Sequence, residues 1–155
     1  MSMDFFSHKN LYVKVFTFNE FQENTYIVFD ETEEAVIIDP GCSTNYEFEE
    51  LFNFINKHRL NPVRLLNTHC HIDHIIGNWK INEVFGLSPE IHKNEEEILK
   101  MGKSSALIWG IYHFKESPLP SHYLEDEEEI GFGNSYLKVV YAPGHSPGHV
   151  FFYSP

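Results

Sequence analysis

Residues 67–78 read NTHCHIDHIIGN and crowd His69, His71, Asp73 and His74 into six positions. This stretch restricts the fold more than any other, because four side chains able to ligate a metal must leave one short segment in usable directions. In an extended segment alternate side chains share a face, so His69 and His71 point the same way and Cys70 points away. The chain must then bend. Asp73 and His74 stand at the head of an apolar stretch, Ile75, Ile76, Trp79, Val84 and Phe85, that suits a buried helix. A strand that ends in a turn and feeds a helix presents two imidazoles from one side and a carboxylate with a third imidazole from the other, an arrangement able to hold two cations close together. A lone histidine is more often a surface or satisfied core residue, but this spacing favours a metal site. Neutral imidazole and carboxylate are the usual nitrogen and oxygen ligands of zinc and similar ions, so the identity of the metal stays open.

A second histidine-bearing turn follows far downstream. Residues 136–141, YLKVVY, read as a strand that opens directly into APGHSPGH, where Pro143 and Gly144 force an abrupt turn. His145 thereby lands at the end of a strand, as His69 does, and could complete a three-histidine set with His69 and His71. His149 precedes an apolar run and is expected to enter the next strand as a packed residue.

The remaining pattern is that of a layered α/β fold. Residues 11–18 and 24–30 alternate as two strands, and residues 35–39 form a third that is apolar on both faces. That strand runs into Asp39-Pro40-Gly41, where Asp39 either caps the turn or faces the rim that carries the histidines. Ser43 or Thr44 can cap an amphipathic helix whose apolar positions are Phe48, Leu51, Phe52 and Ile55. Pro62 stops it, and residues 63–67 form the strand that delivers the histidine cluster. Strand, helix, strand, helix is the order of a sheet covered by helices. A short segment at 88–92 leads to a capped helix start at Asn94, with His92 just before it, either a support for the site or a structural loop residue. Residues 102–121 read as an irregular, aromatic-rich loop, either a binding wall or a satellite core, and residues 125–129 as a solvated turn.

Composition narrows the class of function. Twenty-three acidic residues against eleven basic ones give a formal charge of -12 with no basic cluster, so nucleic acid is not an expected partner. Cys42 and Cys70 are too few and too isolated for a disulfide framework, and neither is expected to ligate metal. The start, MSMDFFSHKN, lacks the basic and apolar regions of a secretion signal, and no apolar run approaches the ~20 residues of a membrane span. A cytoplasmic, reducing setting with no membrane partner is the expectation.

Taken together, THCHIDHIIGN, the downstream APGHSPGH and the preceding IIDPG resemble the metallo-β-lactamase superfamily. Within it the chain is most similar to the glyoxalase II-like (hydroxyacylglutathione hydrolase-like) hydrolases, whose start carries an ENTYI-like strand, here residues 23–27. The resemblance implies an αββα sandwich with a two-metal site at one edge between the sheets. His69, His71 and His145 would hold the first metal, Asp73 with His74 would begin the second, and Asp39 would support the site from behind the ligands. The bridging Asp and the final His of the family pattern are absent from these 155 residues, and the second half of the sandwich has barely begun at Pro155. The expectation is therefore one domain over residues 1–155 that lacks its C-terminal part, with the activity belonging to a longer protein.

For that protein the resemblance implies a thioester hydrolase with two Zn2+, Fe or Mn being substitutes. Water bound to such a metal has its pKa lowered to about 7, so hydroxide is available to attack a carbonyl, with Asp73 as the catalytic carboxylate that orients it. S-lactoylglutathione or a related glutathione thioester is the expected small-molecule partner, and homo-oligomerisation stays open. Two alternatives remain beside this. One is a mononuclear iron persulfide dioxygenase of the same superfamily, leaving Asp73 and His74 free of metal. The other, of a different class, is a non-catalytic metal-binding or interaction fragment.

Overall fold

The computed structural model describes residues 5–155; residues 1–4, part of the start read above as lacking a secretion signal, lie outside them. A seven-stranded sheet begins with β1 (Phe6–His8), β2 (Leu11–Phe18), β3 (Glu23–Phe29) and β4 (Glu34–Ile38), neighbours that pair antiparallel. Helix α1 (Asn45–Lys57) then carries the chain over to β5 (Asn61–Leu66), which pairs parallel to β4. Residues Ala35, Val36 and Ile37 of β4 are fully buried, as expected of a strand covered on both faces.

Thr44 is the cap of α1: its hydroxyl accepts from the Glu47 amide, while the Glu47 carboxylate reaches back to the Thr44 amide. The buried stripe of α1 is Phe48, Leu51, Phe54 and Ile55, each contributing on the order of 2 kcal/mol by leaving water. Phe54 takes the place expected for Phe52, which is only partly buried at the margin of the same core.

After β5 come α2 (Ile72–Ile75) and α3 (Asn78–Phe85), where one continuous helix was expected. The break has a tertiary cause. The Gly77 amide donates to the Pro40 carbonyl at 2.8 Å, and a Cβ on Gly77 would lie 2.5 Å from that oxygen. Strand β6 (Pro89–His92) is followed by a 3-10 turn (Lys93–Glu95), α4 (Glu96–Lys100) and α5 (Gly102–Ile108). The last of these is a helix inside the stretch read as irregular. Its buried positions are Gly102 and Ala106, too few to print a period on the sequence. Strand β7 (His122–Leu124), which the sequence reading missed, closes the large sheet beside β6.

A second, three-stranded antiparallel sheet consists of β8 (Glu129–Phe132), β9 (Ser135–Tyr141) and β10 (Val150–Tyr153), in the order β10-β9-β8. Its inner face, including Ile130, Leu137, Val139 and Val150, packs on Val28, Val36, Ile38 and Leu66 of the large sheet. The opposite face of the large sheet holds α1 and the aromatic core around Phe16, Phe18 and Phe29. The layers are thus helices, large sheet and small sheet. No helix among the described residues is long and apolar enough to cross a membrane.

Candidate metal centre

The ends of β4, β5 and β9 meet at one rim of the sandwich. Parallel pairing of β4 with β5 brings Asp39 and the His69–His74 turn out at the same edge, and β9 delivers the turn with His145 from the facing sheet. His69, His71 and His145 each offer one nitrogen, and these nitrogens lie within 4.8 Å of one another. Their ring centroids form a nearly even triangle of 4.6, 4.8 and 4.7 Å. His71 Nδ1 and His145 Nε2 are 3.1 Å apart. A tetrahedral zinc with Zn–N bonds of about 2.0 Å separates its nitrogens by about 3.3 Å, so the spacing fits such an ion.

The hydrogen bonds select the free nitrogen of His69. Thr68 Oγ1 is 2.5 Å from Asp39 Oδ2, and a carboxylate can only accept, so the hydroxyl donates there. The same oxygen, 3.0 Å from His69 Nδ1, must therefore accept from an Nδ1–H. That leaves the lone pair on His69 Nε2, which is buried without a hydrogen-bond partner among the described residues. An orphaned buried acceptor costs free energy unless something fills its place, and a cation does so. Burial, followed by the neighbouring imidazoles His74, His71, His149 and His145, lowers the His69 pKa to about 2. Burial and then His145 lower that of His71. Three imidazoles converging in this way are a donor set suited to zinc or iron.

Asp39 serves the rim and not its own turn. At φ 50° it leaves β4 in the left-handed region, and its carboxylate accepts from the Thr68 amide at 2.7 Å as well as from the Thr68 hydroxyl and His74 Nδ1. His74 is held from both sides, with Nδ1 3.0 Å from Asp39 and Nε2 3.2 Å from Asp73. Burial works against its charge, but the hydrogen bonds and charges of Asp39 and Asp73 outweigh it and raise the His74 pKa to about 10. For Asp73, burial likewise opposes ionisation, and His74 overcomes it to keep the carboxyl below its ordinary range.

Other residues at the rim gave little sign of it in the sequence. His149 does not enter β10; it sits in the turn before it, half-buried, with its ring 5.0 Å from that of His69. Glu23 lies buried under the site with Oε1 accepting no hydrogen bond among the described residues and 3.8 Å from His74 Nδ1, and burial followed by the charge of Asp39 raises its pKa to about 9. Glu95, at the end of the 3-10 turn, is fully buried against both histidine loops. A buried acid that opens a strand or a helix looks, in sequence, like any charged end residue. His92 stacks on Tyr141 at 4.5 Å and caps its own turn. Cys70 turns away from the imidazoles into an apolar cluster with Ile72, Ile75 and Ile91. Beside His71 and Asp73 a groove of about 300 Å³ is walled by Phe21, Ile72, Ser105 and Trp109. Phe21 and Trp109 meet edge to face at 5.4 Å.

The sequence model of the metallo-beta-lactamase superfamily matches residues 18–155. The chain belongs to this superfamily. A probable metallo-hydrolase, YqgX of Bacillus subtilis, is 30% identical over 135 residues, covering 85% of this chain and 60% of that protein. The hydroxyacylglutathione hydrolase GloC of Haemophilus influenzae is 30% identical over 147 residues, covering 90% of this chain and 65% of its own length. Among solved structures, that of TTHA1623 in a di-iron-bound form superposes with a TM-score of 0.78 at 33% identity, over 91% of this chain and 66% of the other. This superfamily chain therefore spans about two thirds or less of the relatives it resembles. The metallo-β-lactamase fold accounts for the mixed α/β layers and for the rim at which the loops converge.

Proposed function

We propose that this chain carries the metal-holding side of a thioester hydrolase of the metallo-β-lactamase superfamily, acting in the complete protein on a small-molecule thioester such as a glutathione conjugate of a hydroxy acid. The observation that carries the reading is the convergence of His69, His71 and His145, with nitrogens within 4.8 Å of one another and the buried Nε2 of His69 left without a hydrogen-bond partner among the described residues. Similarity to the hydroxyacylglutathione hydrolase of Haemophilus influenzae supports the substrate class. Residues His69, His71 and His145 would hold one cation, and Asp73 with His74 would contribute to a second. A cation so held supplies Lewis acidity and water ionised near neutral pH.

The chain's own side chains do the rest. Thr68 and Asp39 keep His69 in the tautomer with a free Nε2. Asp73, ionised at the mouth of the groove, would orient a water there by accepting a hydrogen bond from it. Phe21 and Trp109, which pack edge to face, would offer an apolar side to a bound substrate. The partners in this reading are small molecules, and the acidic chain offers nothing to a nucleic acid.

The test is made on the full-length protein. Metal content by elemental analysis and hydrolysis of S-lactoylglutathione are measured for the wild type and for His71→Ala. The expected result is two zinc or iron ions in the wild type, and loss of metal and hydrolysis together in the variant. Full metal content and full turnover in His71→Ala would overturn the ligand assignment. One iron per chain, with oxygen consumed on glutathione persulfide, would replace hydrolysis by the dioxygenase alternative. Iron is included because the di-iron form of the solved relative shows that related proteins accept it.

A further inference from the structure

Two loops more than seventy residues apart in sequence meet at the imidazoles, and one buried side chain reaches both. Glu95 is fully buried. Its Oε2 accepts from the amide of Cys70 at 2.8 Å, the residue between His69 and His71. Its Oε1 accepts from the hydroxyl of Ser146 at 2.5 Å and from the amide of Gly148 at 2.6 Å, in the turn that runs from His145 to His149. One carboxylate therefore faces the first histidine loop with one oxygen and the second with the other. A separate observation shows how tightly the second loop is drawn in. A Cβ on Gly148 would lie 2.8 Å from Glu95 Cγ and 3.0 Å from the Glu95 backbone nitrogen, so the loop reaches the carboxylate only with glycine at that position. The two loops are otherwise joined by the bond from the Val150 amide to the Thr68 carbonyl, one residue from His149 and from His69, and by the approach of His71 Nδ1 to His145 Nε2 at 3.1 Å.

We propose that Glu95 is a positioning residue that sets the separation of the two histidine loops, and with it the distance between His71 and His145. It acts through backbone and hydroxyl donors and touches neither substrate nor metal. The proposal rests on the reading of His69, His71 and His145 as ligands. A carboxylate is suited to the task because every group that faces it is a donor. Glutamine has the same shape, but its amide nitrogen would meet either the Cys70 amide or the Ser146 and Gly148 donors, so that one loop loses its anchor. Because the anchored atoms flank the ligands on both sides, release of either loop changes the donor geometry offered to the ion.

The experiment uses the full-length protein and cobalt as probe. Co2+ affinity is measured by competition with a chelator, and the visible absorption spectrum of the Co2+ form reports its coordination. Glu95→Gln is compared with wild type and with Glu97→Gln, an exposed acid two residues on. The expected result is a 10- to 100-fold loss of Co2+ affinity and an altered visible spectrum for Glu95→Gln, with Glu97→Gln unchanged. Loss of packing alone would lower the melting temperature without altering the spectrum of the bound ion. Wild-type affinity and spectrum in Glu95→Gln would overturn the proposal. Should that variant fail to fold, Ser146→Ala decides: it removes one donor and should shift the spectrum in the same sense, and an unchanged spectrum overturns the proposal. A wild-type protein that takes up no Co2+ would overturn the ligand reading and this proposal with it, whereas binding with unchanged variants overturns the role of Glu95 alone.

Discussion

Beneath the rim, the charge state of Glu23 bears on the behaviour of the metal-free protein. Its carboxyl is raised from 4.5 to about 9, first by burial and then by Asp39, so the folded chain holds a proton there that the unfolded chain has lost. That contribution to stability is fully present below pH 4.5 and is gone once the pH has risen through about 9. His74, raised from 6.5 to about 10, adds a loss of the same sign that starts higher. His69, lowered from 6.5 to about 2, acts on the acid side, where stability falls as pH drops below 6.5. Between pH 4.5 and 6.5 the Glu23 and His69 effects oppose each other, so the melting temperature of the metal-free protein should decline from about pH 6.5 upward, and Glu23→Gln should flatten that decline below about pH 9. An unchanged slope in the variant would show that this carboxyl titrates in its ordinary range. His69, His71, Asp73 and His74 were legible in the sequence because their spacing is local. Glu23, Glu95 and His149 were not, because each acquires its role from atoms far along the chain, as Glu95 does from Cys70 and Gly148.

At the scale of the elements, the parts that could be read were those whose cause lies within the element. Strand β4 announced itself by an unbroken apolar run, and α1 by its cap and stripe. Thr44→Ala removes the hydroxyl that accepts from Glu47 and should cost about 1 kcal/mol, a fall of about 3 °C in melting temperature with metal content unchanged. The division between α2 and α3 could not be read, since it depends on Pro40 pressing on Gly77. Gly77→Ala should accordingly cost about 2 kcal/mol or more, a larger fall than Thr44→Ala, because the new methyl group meets backbone and cannot turn aside. Thermal unfolding of the two variants side by side checks the order. Equal effects would mean that the contact with Pro40 relaxes freely.

For the whole molecule, the small sheet is incompletely covered. Strand β10 pairs with β9 on one side and has no strand on its other side among the described residues, while Phe151 and Tyr153 are more than half exposed. Residues 1–155 produced alone should self-associate through that edge and bind at most one cation weakly, since Asp73 and His74 leave a second ion short of protein ligands. Metal titration and light scattering beside the full-length protein test this. Two tightly bound ions in a monomer of residues 1–155 would show that the ligands of the second site lie elsewhere in this chain.

The separation of the histidine loops along the chain also bears on how the protein comes to be made. His69 and His71 are neighbours in sequence and can chelate a cation before anything has folded, whereas His145 reaches them only after β9 has docked against the large sheet. A metal that binds the unfolded chain through the local pair narrows the difference in affinity between the two states, so it stabilises the native form by less than its final grip suggests. Excess zinc present during refolding should then slow recovery of native fluorescence, and zinc added after folding should not. The order in which chain and ion meet is thus built into the distance between the two loops.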